Sequence, residues 1–84
     1  MSVLDNPPGG DRLTDYDRAM ASTYLRLLDA DADGADWRDA SRHVLGLDPS
    51  DDEARARRIH ESHLARARWL ANQGYRDFVW VKST

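Results

Sequence analysis

Eighty-four residues are enough for one domain with a modest core, and 40 % of them are apolar; a chain this small is marginally stable unless a partner adds to it. The absence of cysteine excludes disulfide scaffolds and thiolate metal clusters. No stretch has the pattern of a transmembrane span or a signal peptide, which predicts a cytoplasmic protein without a membrane partner.

The net charge of −3 conceals an asymmetry, because residues 1–54 carry thirteen acidic and five basic side chains, and residues 55–84 two and seven. Nucleic-acid-binding surfaces are usually basic without strong acid beside them. Segregated signs suit docking on a charged protein instead.

Residues 1–13 contain Pro7-Pro8-Gly9-Gly10 and no periodicity, so they read as a flexible N-terminal tail ahead of a single helical domain over 14–84. Thr14 and Asp17 form a capping arrangement that starts a first helix over about residues 15–33. Its inward face is Tyr16, Ala19, Met20, Thr23, Tyr24, Leu27 and Ala30, with Leu28 at the margin and Leu25 pointing away. Gly34 stops it.

Asp29, Asp31, Asp33 and Gly34 match the opening of a calcium-binding EF-hand loop. The match then fails, since Asp36 replaces an apolar residue and Ala40 replaces the bidentate glutamate. An acidic helix end is the better reading, and no cofactor or metal is assigned.

Asp36 caps a short second helix running to Leu45, with Trp37, Ala40, Ser41, Val44 and Leu45 inward and Gly46 at its end. Trp37, between small residues, is expected in the core.

The longest helical stretch is 50–74. Ser50 and Glu53 suggest a capping box, Asp51 and Asp52 favour the positive end of the helix dipole, and Gly74 suggests its close. Ala56, Ile59, His60, His63, Leu64, Ala67, Leu70 and Ala71 share one face. Trp69 points the other way, beside Arg55, Arg58, Ser62, Ala65 and Arg66. An indole among arginines is either covered by another part of the chain or is a contact patch. The apolar tail Phe78-Val79-Trp80-Val81 is expected to fold back over the helices, and is a candidate to cover Trp69.

His60 and His63 have a spacing seen in helical metal sites, but fewer than three plausible ligands converge there. No thiol, phosphate loop or Ser–His–acid arrangement supports catalysis, and the chain is not read as an enzyme. The short helix, glycine turn and long helix form a helix-turn-helix pattern that can enter a DNA groove. Asp48, Asp51, Asp52 and Glu53 at the start of the long helix would repel phosphates. The DNA-binding alternative relies on Arg55, Arg58, Arg66 and Arg68.

The run TYLRLLDADADGADWRDASRHVLGLDP, followed by ESHLARARWLANQGYRDF, resembles a proteobacterial helix-turn-helix-variant family carried on integrative and conjugative elements. Leu27-Leu28-Asp29, Gly34-x-x-Trp37-Arg38 and Gly74-Tyr75-Arg76-Asp77 are its most specific pieces. The resemblance implies an all-α fold: a three-helix helix-turn-helix variant with a folded-back C-terminal tail. Some members are DNA-binding excision activators of the FseA type. Others are short QseM-like antiactivators, which bind transcriptional activators of the LuxR/TraR and FseA types and silence quorum-sensing-dependent transfer. An acidic chain of this length resembles the antiactivators. The expected partner-binding face is Arg58, Ser62, Arg66, Trp69, Tyr75 and Arg76, with Arg66 exposed and open to substitution.

Overall fold

A computed structural model describes residues 3–10 and 12–74. Every regular element among them is helical: α1 (Asp15–Ala19), α2 (Ala21–Ala32), α3 (Trp37–His43) and α4 (Glu53–Trp69), the last continued by one wide π turn, Leu70–Gly74. The fold is all-α. The expected C-terminal fold-back lies outside the described residues.

Three of the four helix starts have a side-chain cap, and α2, entered directly from Met20, has none. Thr14 and Asp17 form the reciprocal box at α1, Asp36 accepts the Arg38 N–H at α3, and Asp52 accepts the Arg55 N–H at α4. Ser50 does not cap α4 as its sequence position suggests. Asp48 Oδ1 accepts both the N–H and the hydroxyl of Ser50, so the serine is held in the preceding turn and Asp52 takes over.

The single first helix expected over 15–33 is two helices. At Met20 (φ −94°, ψ 4°) the N–H is shared between the carbonyls of Tyr16 and Asp17, which tightens the turn and separates α1 from α2. α2 ends as predicted at Gly34 (φ 75°), where the N–H groups of Gly34 and Ala35 reach back to Asp31 and Ala30. This paired closure needs the left-handed backbone that glycine adopts without strain. Asp29 and Asp31 are thus part of continuous helix with Asp33 capping it, and the three carboxylates do not curl round a common centre.

α4 packs against α2 and α3. The core comprises Met20 at the junction of α1 and α2, Tyr24 and Leu27 from α2, Ala40 and Leu45 from the α3 region, Ile59, Leu64 and Ala67 from α4, and Leu70 from the π turn. Ala19 and Ala71, both expected inward, are exposed at the margins of their stripes. Leu25 is exposed as expected. Trp37 is only half-buried, with the Arg38 and Arg57 guanidinium carbons 4.9 and 5.7 Å from its ring. Long arginine stems cover the indole where the core was expected to.

The contrast between Leu27 and Trp37 is testable by chemical denaturation. Leu27 is 1 % exposed, so Leu27→Ala should cost about 2–5 kcal/mol. Trp37→Ala should cost about 1–2 kcal/mol, in keeping with a half-buried ring. Equal losses at the two positions would contradict this packing.

Candidate functional site

The outer side of α4, where Trp69 was expected in solvent or under the C-terminal tail, is occupied by the N-terminal segment. Residues 3–10 are not a tail free of the domain. Val3 and Leu13 pack on the core, the Leu4 N–H donates to the Tyr16 hydroxyl at 3.1 Å, and Asp5 pairs bidentately with Arg55. Periodicity has no means of detecting such a segment, because its contacts are backbone bonds and one ion pair rather than an apolar stripe.

The strongest departure from the expected face is Arg66. It is 6 % exposed, not an outward residue. Its Nε and Nη2 donate to the two oxygens of Asp17 at 3.1 and 2.7 Å, and its remaining donors reach the carbonyls of Gly10 and Arg12, both at 2.7 Å. Asp17 is fully buried, and also accepts from the Thr14 N–H, the Thr14 hydroxyl and the Tyr24 hydroxyl. Burial alone would raise the Asp17 pKa; the Arg66 guanidinium and the Thr14 bonds outweigh it and hold the group below its ordinary value. Burial and the Asp17 charge push the Tyr24 phenol up, so it remains a donor.

The Arg66 guanidinium lies 4.1 Å above the Trp69 ring, so Trp69 is partly buried beneath a cation fixed from the other side. Beside it runs a cleft of about 380 Å³, with residues 6–9 on one wall and Ser62, Ala65, Arg66 and Trp69 on the other. Of the six expected contact residues, Ser62, Arg66 and Trp69 meet at this cleft. Arg58 is exposed on the same helix, close enough for its charge to act on Asp5. Tyr75 and Arg76 lie outside the described residues.

His63 has the geometry of a structural histidine. His63 Nδ1 lies 2.8 Å from the Ile59 carbonyl and Nε2 lies 2.7 Å from the Tyr16 hydroxyl, so Nδ1 donates and Nε2 accepts. Both ring nitrogens are committed, leaving no lone pair for a metal. His60 Nδ1 is buried without a partner among the described residues. Burial lowers the pKa of both rings below 6.5.

The arginines on which DNA binding depends are mostly engaged. Arg55 pairs with Asp5, Arg66 with Asp17 and Arg68 with Asp31. No protein-family model matches the chain, and no curated protein matches it.

Breaking the buried pair has a definite sign. Asp17→Ala should destabilise the domain by about 3–5 kcal/mol, because it leaves the Arg66 charge buried and uncompensated. Arg66→Glu, which the sequence suggests is harmless to the fold, should be at least as damaging. Thermal melts monitored by circular dichroism test both, and a melting point unchanged by either would remove the pair from the core.

The histidines set a second, pH-dependent effect. Their folded pKa values lie below the ordinary 6.5, so their contribution to stability is present above pH 6.5 and is lost as pH falls through the folded values. His60→Leu should therefore flatten part of the loss in melting temperature as pH falls below 6.5, since only the wild-type ring takes up a proton on unfolding there.

Proposed function

We propose that the chain is a non-enzymatic regulatory binding module, an antiactivator that captures a transcriptional activator in the cytoplasm. The resemblance of the sequence to QseM-like antiactivators suggests activators of the LuxR/TraR and FseA types, and repression of the transfer of an integrative and conjugative element. Capture works by mass action: each complex removes one activator from the pool that binds promoter DNA.

One observation carries this reading over its DNA-binding rival. Arg55, Arg66 and Arg68, which would have to meet phosphates, face carboxylates of the same chain. Asp48, Asp51 and Asp52 remain exposed around the start of α4, where a recognition helix presents itself to bases, and Glu53 there is paired with Arg38. A duplex docked there meets negative charge first, and the counterion release that drives non-specific DNA binding is forfeited. The commitment of both His63 nitrogens supports a non-catalytic role in the same way.

The test pairs two titrations. Fluorescence anisotropy with the element's promoter duplexes at moderate salt should give no sequence-selective binding, and calorimetry with the cognate activator should give a saturable complex. Selective sub-micromolar DNA binding with a steep salt dependence would establish the helix-turn-helix regulator instead.

A further inference from the structure

Residues 4–9 read Leu-Asp-Asn-Pro-Pro-Gly, and they lie against the outer side of α4 in the manner of a bound peptide. Two consecutive prolines hold φ near −65° and supply no N–H, which favours an extended, polyproline-type backbone that costs little entropy to order. The opposite wall of the cleft holds Trp69, and aromatic-lined clefts are the usual receptors for such segments. Next to the prolines, Asp5 meets Arg55 through both carboxylate oxygens. The face therefore offers an aromatic surface for proline and a guanidinium fork for acid at a fixed spacing.

The contact of residues 4–9 is largely exposed, between Val3 packed on the core and Gly10 held by Arg66. The side chains of Arg55 and Asp5 are 46 % and 56 % exposed, and Leu4 is 51 % exposed. Exposed ion pairs of this kind hold weakly. The face beneath is rigid, because Arg66 is fixed over Trp69 by its buried bonds to Asp17.

We infer that the outer face of α4 is a peptide-binding face, and that residues 4–9 are its built-in competing ligand. Its partner is an extended segment of another protein with a carboxylate two residues ahead of a proline pair, matching Asp5 and Pro7-Pro8. A tethered segment has an effective concentration of the order of millimolar. The partner segment must outcompete that, so the tether sets an affinity threshold. The inference rests on the partner-binding reading only for the source of the segment.

The experiment uses the full chain, the triple variant Asp5→Lys/Pro7→Gly/Pro8→Gly, and the single variant Asp5→Lys in case the triple variant fails to fold. The probe is the synthetic peptide VLDNPPGG, with VLKNGGGG as control. Nitrogen-15 NMR follows the amides of Ser62 and Ala65 and the Trp69 indole N–H. The substitutions should shift these three signals, and VLDNPPGG should then bind saturably at the same positions, at least tenfold tighter than to the wild-type chain. Unmoved signals, equal affinity for variant and wild type, no saturable binding at millimolar peptide, or equal binding of the control would each overturn the inference. No activator is present in this assay, so its failure is distinguishable from failure of the capture reading.

Discussion

A fully buried carboxylate in an 84-residue domain is a severe constraint, and the arrangement of this chain follows from how Asp17 is satisfied. Its two oxygens take five donors, from Thr14, Tyr24 and Arg66. Those partners belong to the cap of α1, to α2 and to α4. Desolvating two ions costs several kcal/mol each, and the attraction between them offsets this only with near-complete hydrogen bonding. The network meets that condition for the carboxylate and also specifies the relative position of three helices. An apolar pair of similar volume would bury as much area without fixing which atoms meet.

The same guanidinium determines where the N-terminal segment goes. After its two bonds to Asp17, Arg66 retains donors that cannot be left dry, and the carbonyls of Gly10 and Arg12 accept them. The chain before α1 is thereby turned along α4 rather than away from it. At the other end of the segment, the Tyr16 hydroxyl accepts from Leu4 and donates to His63, whose opposite nitrogen donates to Ile59. A polar chain runs from the surface segment into α4 with every member engaged. Neutral His63 is required at its centre, since an imidazolium could not accept the tyrosine proton.

Helix identity was legible because caps and glycines act locally: Thr14 with Asp17, Asp36 and Gly34 stand where their chemistry predicts, whereas α3 ends at His43, two residues short of the expected Leu45, and Gly46 (φ 70°) turns the chain beyond it. The core stripe of α4 was legible for the same reason of period. The buried pair left a signal that a hydrophobic wheel ignores. Asp17 is in phase with Met20, Tyr24 and Leu27, and Arg66, expected on the outer side of α4, is in fact one turn from His63 and Leu70 and two from Ile59, on the inner stripe. An acid on one inner stripe and a base on another mark a buried pair. The break at Met20 and the placement of residues 3–10 had no such signal, because both depend on backbone groups that carry no side-chain pattern.

The charge asymmetry of the sequence takes on a different meaning once the pairs are drawn. Asp5–Arg55, Asp17–Arg66 and Asp31–Arg68 each join the acidic first part of the chain to the basic α4. Of the three, only Asp17–Arg66 is buried and fixes the fold; the other two are exposed and hold weakly. Outside, Asp15, Asp29, Asp33, Asp36 and Asp39 are exposed as well as the acids around the start of α4, and the Trp37 ring lies between Arg38 and Arg57. In the proposed capture of an activator, recognition would rest on fit at aromatic and arginine anchors, and its dependence on salt should be shallow compared with that of a protein docking on phosphates.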